Sequence, residues 1–258
     1  MHPARIAELL EPFLLASSAN DALYQHISTY IDILLRWNAR VNLTAIRDPE
    51  QIVTRHFGES LFAARHLFPN RVAGGSSGSA RGRAALQGRV PDLAKMGASA
   101  PEGTANDQPP RANDCSVADI GSGAGFPGIP LKLWAPGIAL TLIESNHKKA
   151  TFLREVTRAL TLTNVNIFSG RAQHLLQEQS PHKQPVAFDV VTLRAVERFT
   201  NVLPVAASLV APGGRLVLLI GASQIDEARS SVPLIWGSPL PVPLSKSRML
   251  LVGSSPRS

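Results

Sequence analysis

Between Val117 and Gly128 the chain reads Val-Ala-Asp-Ile-Gly-Ser-Gly-Ala-Gly-Phe-Pro-Gly. Apolar residues lead to a carboxylate, Asp119. Three glycines follow at Gly121, Gly123 and Gly125, and then a Pro-rich start to a helix. This is the pattern of a first strand, a tight turn and a helix N-terminus in a nucleotide-binding α/β domain. Glycines there let backbone approach a ligand with no Cβ in the way. Glu144 lies 19 residues beyond Gly125, at the end of a second apolar run, Ala139–Ile143. In such an architecture an acidic side chain at that place accepts hydrogen bonds from both ribose hydroxyls.

Two ligand classes share these features. A G-x-G-x-x-G can be drawn through Gly123, Gly125 and Gly128, which would suit a dinucleotide. Counted from Gly121, however, the sixth position is Phe126, so no pyrophosphate cradle is assured. Asp119 beside the turn suits an ammonium and opposes a diphosphate. S-adenosylmethionine (SAM) therefore fits better than NAD. Glu144 is common to both, and an NAD(P)-dependent oxidoreductase stays as an alternative.

The end of the fourth predicted strand faces the reacting atom in this kind of fold. Here it reads Thr192-Leu193-Arg194-Ala195-Val196-Glu197. It lacks the Asn/Asp-Pro-Pro-aromatic cluster that holds an exocyclic amine for methylation. Methylation at C5 of a pyrimidine needs a cysteine nucleophile. The single cysteine, Cys115, precedes the first strand and so falls at the opposite end of the sheet. A guanine N7 lone pair needs only alignment with a methyl donor. Arg194 can serve a guanine edge, a phosphate or a carboxylate, or simply hold the strand end in a salt bridge.

The elements that must position these residues follow from periodicity. Residues 1–69 read as a helical N-terminal extension. Leu23, Ile27, Tyr30, Ile31, Leu34 and Leu35 give one apolar face. Asp48 as N-cap and Pro49 at the first helical position start another helix, running to about Leu67. Residues 70–113 are rich in Gly, Ala, Ser and Pro and poor in large apolar side chains. The composition predicts a disordered basic insertion. Residues 114–258 alternate strand and helix: strands at 116–120, 139–144, 165–168, 187–193 and 215–220, and a last strand at 249–252. Helices are expected from 129, at 148–160 and at 202–209. Strand–helix alternation predicts a parallel sheet covered on both faces, with the late strand pair antiparallel at one edge.

Composition narrows the function classes. The 258-residue chain is 44% hydrophobic, carries a formal charge of +7 and has one cysteine. There is no apolar run of about 18 residues, so no membrane span is expected. A lone cysteine excludes an internal disulfide and suits a reducing cytoplasm. The positive charge permits RNA as partner. Arg40, Arg47, Lys148, Lys149, Arg154, Arg158 and Arg171 are candidates for phosphate contact, each against the reading of a solvated side chain. Nothing in the pattern calls for a metal.

Together, the glycine motif, Phe188-Asp189-Val190-Val191 and the Pro212-Gly213-Gly214-Arg215 turn resemble class I SAM-dependent methyltransferases, where such a turn precedes the sixth strand. Closer still, the chain resembles the bacterial small-subunit rRNA guanine-N7 methyltransferases of the glucose-inhibited division protein B type. The resemblance rests on Trp37-Asn38, Asn42-Leu43-Thr44, Arg47-Asp48-Pro49, Arg55-His56 with Glu59-Ser60, Asp119 to Gly125, Pro127 to Leu131, Glu144-Ser145, Lys148-Lys149, Phe152-Leu153 and Arg194-Ala195. It covers residues 23–69 and 114–221, with a weaker echo at 248–252.

The resemblance implies methyl transfer from SAM to guanine N7 in a decoding-region loop of 16S rRNA, by a monomer acting on the RNA or the small ribosomal subunit. It implies a cofactor site of Asp119, Gly121, Gly123, Gly125, Phe126, Glu144, Ala172, Gln173 and Arg194. Arg194, Arg55 and His56 are the catalytic candidates, with Asn42 helping to cover the pocket. Three places depart from the family pattern: Glu59 where Asp is usual, Gln173 where an acid is common, and Ile220 where a Lys is common. The last two motivate a further alternative, a non-catalytic SAM-binding protein associated with RNA.

Overall fold

The computed structural model describes residues 1–14, 20–69, 115–177, 186–194 and 199–257. The expected insertion at 70–113 lies outside the described residues. Helices α1 (Pro3–Leu10), α2 (Asp21–Asn38), α3 (Pro49–Ile52) and α4 (Glu59–Leu67) precede the sheet. The rest alternates β1 (Ser116–Ile120), α5 (Gly128–Trp134), β2 (Ala139–Ile143), α6 (His147–Ala159), β3 (Val165–Phe168), α7 (Ala172–Gln177), β4 (Phe188–Arg194), α8 (Phe199–Ser208) and β5 (Val210–Gly221). Helix α9 (Ile225–Ser231) and strands β6 (Ile235–Trp236), β7 (Leu240–Pro241) and β8 (Arg248–Ser254) complete it.

The helix starts follow capping chemistry. Asn20 accepts from the Leu23 amide at 3.1 Å, and Asp48 from that of Gln51 at 2.8 Å. Asn146 accepts from Lys148 and Lys149 at 3.0 and 3.2 Å. Each bond satisfies an amide that the first helical turn leaves without a partner. The helix expected from Asp48 to Leu67 is interrupted by a π-helical turn at Val53–Gly58. Phe13, in the short 3₁₀ turn after α1, packs on it so closely that a Cβ at Gly58 would stand 2.6 Å from the Phe13 ring. Local periodicity gives no sign of a π turn; tertiary packing sets it.

The sheet order is β3-β2-β1-β4-β5-β8-β6, with β7 pairing on β8. Strands β1 to β5 are parallel, and β8 runs antiparallel to β5. The antiparallel pair is thus present, but β8 is not the edge, because β6 and β7 pair outside it. The Pro212–Gly214 turn also differs from expectation. It lies inside β5, the fifth strand rather than a step before the sixth, and shifts the register opposite Phe188 and Val190. Gly213 takes φ +74° there, a left-handed conformation that suits glycine.

Alternation along the strands sends side chains to two cores. Val117, Leu140, Leu142, Val190, Val217 and Leu219 face one side, packed with α1, α2, α4, α5 and α6. Ala118, Ile120, Ile143, Val191, Leu193 and Leu218 face the other, under α8 and α9. The N-terminal helices therefore share a core with the first face of the sheet.

Candidate functional site

Strand register brings the predicted residues together. Ile120 pairs with Ile143 on one side and with Leu193 on the other. The next residues, Gly121, Glu144 and Arg194, consequently leave three neighbouring strands at the same carboxyl edge. Between β1 and β4 the strand order reverses, the point where ligands bind in open α/β sheets. Cys115, buried at the other end of β1, stands apart from this edge. Burial pushes its thiol pKa up to about 12, so it is not a thiolate.

The loop after β1 is held by backbone geometry. Gly121, Gly123 and Gly125 have φ of +68°, +55° and +83°. Each would strain a side-chain-bearing residue by about 1–2 kcal/mol. Among the described residues, a Cβ at Gly123 would meet only the Gly121 carbonyl, at 3.7 Å, so this part of the loop is open on that side. A Cβ at Gly125 would collide with the Tyr30 hydroxyl and Ile129. Glu144 accepts from the Gly123 amide at 2.8 Å and the Asn146 amide at 2.7 Å. A carboxylate has about four acceptor positions, so Glu144 retains capacity for hydroxyl donors.

Asp119 sits beneath the loop rather than in it. It is fully buried; one oxygen accepts from the Thr192 hydroxyl at 2.8 Å and the other from the Gly128 amide at 3.1 Å. Burial raises its pKa to about 6, against the lowering effect of those bonds. In this arrangement the Asp119 side chain ties β1 to β4 and to the start of α5, so it bears on a ligand from beneath the loop.

Phe126 is likewise buried, and its ring faces protein. It stacks on Tyr30 at 5.5 Å and 7°, and on His56 at 4.8 Å and 24°, with Phe57 edge-on at 5.0 Å. Such ring pairs contribute about 1 kcal/mol each beyond area burial. The Tyr30 hydroxyl donates to the Ala124 carbonyl of the loop. Helix α2 thereby grips the loop, a role for Tyr30 that its place on an apolar helix face does not announce.

Arg194 is the other centre. Its side chain is 8% exposed and that of its partner Glu59 5%. Nε and Nη2 donate to Glu59 Oε2 at 3.3 and 3.1 Å, and Nη2 also reaches the Arg55 carbonyl at 2.7 Å and His56 Nδ1 at 3.0 Å. The guanidinium carbon lies 6.0 Å from the Phe126 ring centroid. Arginine has no acceptor, so His56 Nδ1 accepts and the ring proton sits on Nε2, 2.8 Å from Thr44 Oγ1. Desolvation first, then Arg194, Arg55 and Arg248, lowers the His56 pKa to about 3. His56 is therefore neutral with both nitrogens engaged. In this arrangement His56 braces Arg194 and Thr44. Arg55 contributes its carbonyl, and its side chain is exposed.

The remaining expectations separate. Ala172 is buried and Gln173 half-buried at the start of α7, just beyond β3. Asn42 is exposed; Asn38 does the structural work instead. Its amide oxygen accepts from Leu43 and Thr44 at 2.8 and 3.0 Å, and its nitrogen donates to the Thr44 carbonyl at 2.9 Å. Ile220 is buried in the second core. Lys148, Arg154, Arg158 and Arg171 are exposed. Glu59, Tyr30, Thr44 and Asn38 were not among the candidate site residues. Asn38, Thr44 and Glu59 each lie in a motif that carries the resemblance, and Glu59 adds a charged residue inside an apolar helical stretch.

A profile of the family described as GidB, rRNA small subunit methyltransferase G, matches residues 23–77 and 107–234. A protein named ribosomal RNA small subunit methyltransferase G from Stenotrophomonas maltophilia is 33% identical over 98% of this chain and 97% of its own length. One of the same name from Xanthomonas euvesicatoria pv. vesicatoria is 32% identical over 96% of this chain and 94% of its own. By the family profile and by relatives matched over nearly their whole length, the chain belongs to the rRNA small subunit methyltransferase G family.

Proposed function

We propose that the protein transfers a methyl group from SAM to N7 of a guanine in the decoding-region loop of 16S rRNA. It acts in the cytoplasm as a monomer, on the RNA or on the small ribosomal subunit. The observation that carries this reading is the level emergence of Gly121, Glu144 and Arg194 at the strand-order reversal, in a chain of this family. The residues fit SAM. The loop is open at Gly123, and Glu144 keeps acceptor capacity beside it. Family membership favours this reading over the nicotinamide alternative.

SAM, when bound, supplies a methyl group on a sulfonium. The chain supplies alignment. Glu144 offers its carboxylate to ribose hydroxyls, and the loop glycines let backbone approach the cofactor. Ala172 and Gln173, after β3, serve the adenine. Arg194 Nη1 takes no part in the bonds to Glu59, His56 and Arg55, and it presents N–H donors to the incoming nucleotide. A guanine N7 lone pair attacks without a general base, which agrees with a neutral His56 whose nitrogens are both engaged. No cysteine lies at this edge, so the transfer is direct, with orientation supplying most of the acceleration.

The test is incubation of purified protein and labelled SAM with small-subunit RNA lacking the modification. Label should enter the RNA, and borohydride and aniline cleavage should stop primer extension at one guanine. Binding of SAM with no label transferred would favour the non-catalytic alternative.

A further inference from the structure

The carboxyl edge of the sheet gathers cations. Arg194 is buried there, and Arg55 and Arg248 lie close enough to bear on His56 beside it. A sulfonium adds another positive charge, which is lost when SAM becomes S-adenosylhomocysteine. Facing Arg194 from α4 is Glu59, with its Oε2 3.1 Å from Nη2. Glu144 is engaged with the loop and Asp119 lies beneath it. A buried ion pair adds little to stability over an apolar replacement.

We propose that Glu59 is the counter-ion that lets this edge hold a cationic cofactor: by offsetting Arg194 it sets the ratio of SAM to S-adenosylhomocysteine affinity. The inference rests on reading the loop as a SAM site. Removing the Glu59 charge leaves an uncompensated guanidinium at the edge that would hold the sulfonium. In a partly buried setting that repulsion is felt over several ångströms, whereas a neutral thioether does not feel it. A purely structural role would weaken both ligands alike.

Calorimetry of the full chain with each ligand, at low ionic strength, decides. Glu59→Gln should lower the SAM to S-adenosylhomocysteine affinity ratio by about tenfold. Glu59→Asp keeps the charge and should keep the wild-type ratio. Arg194→Met removes the opposite charge and should move the ratio the other way, which tests the idea even if Glu59→Gln does not fold. Equal weakening of both ligands in Glu59→Gln, or an unchanged ratio in Arg194→Met, would overturn the inference. Wild-type protein that takes up neither ligand would overturn the reading of the loop itself, and the inference with it.

Discussion

The loop after β1 and the cluster around Arg194 meet across the Phe126 ring, yet they are held by different means. Gly121, Gly123 and Gly125 shape the loop through backbone dihedrals, and Glu144 reaches it through an amide. The Arg194 cluster is built from side chains and one backbone carbonyl, that of Arg55, spanning β4, the π turn and α4. A backbone-built element takes its shape from its own dihedrals, with Tyr30 and Glu144 bracing it. A side-chain cluster needs two distant segments to dock before any of its bonds exist. The loop should accordingly fail by steric strain and the cluster by unpaired charge.

The largest effect on turnover is expected in the loop. Gly125→Val forces a branched side chain into φ +83° and against Tyr30 and Ile129. Strain and overpacking together should cost about 3 kcal/mol. Methyl transfer should fall by about 100-fold, since a displacement near 1 Å has that effect on a positioned reaction. Near-normal turnover in labelled-SAM assays would show that the loop tolerates displacement.

Next is Arg194→Ala, which strands the Glu59 carboxylate in a buried place. Denaturant titration should show a loss of about 3–5 kcal/mol, the typical effect of breaking a buried pair. A loss under about 1 kcal/mol would mean that Glu59 is rehydrated in the variant.

The pH dependence of stability separates the two regions by sign. The folded pKa of His56 is depressed from 6.5 to about 3. The unfolded chain binds more protons between those values, so this contribution is present above pH 6.5 and is lost as pH falls toward 3. The folded pKa of Asp119 is raised from 3.8 to about 6. Its contribution is present below pH 3.8 and is lost as pH rises through 6. The two slopes oppose each other between those latter values. His56→Phe should make stability fall with rising pH there, and Asp119→Asn should make it rise more steeply than in wild type. Identical profiles for the two variants would contradict the assignment.

Smallest is Tyr30→Phe. It keeps the ring stack on Phe126 and removes the bond to the Ala124 carbonyl. The expected loss is about 1 kcal/mol. A larger loss in KM for SAM than in stability would show that α2 shapes the loop as well as supporting it.

Strands β1, β2 and β3 and helix α6 lie within a residue or so of where periodicity places them, because each is an apolar run bounded by turn or capping residues. The short strands β6 and β7 and helix α9 fall in a Pro- and Ser-rich stretch where pattern carries little, and β8 provides their pairing. Asp119 and His56 show the limit at the site. Their positions beside the loop could be read from sequence, but their roles depend on Thr192, Gly128, Thr44 and Arg194, brought to them by strand pairing and helix docking.

What the sequence by itself determined is the glycine loop, the carboxylate at Glu144 and the family. The loop and Glu144 rest on residues near one another in the chain, the family on short motifs spread along it, and the loop's backbone constraints act locally. Only the tertiary structure decided that Asp119 is a buried tie, that His56 is a neutral acceptor and that Glu59 faces Arg194. Protonation and pairing follow from burial and from partners about 70 to 140 residues away, separations at which no local pattern operates.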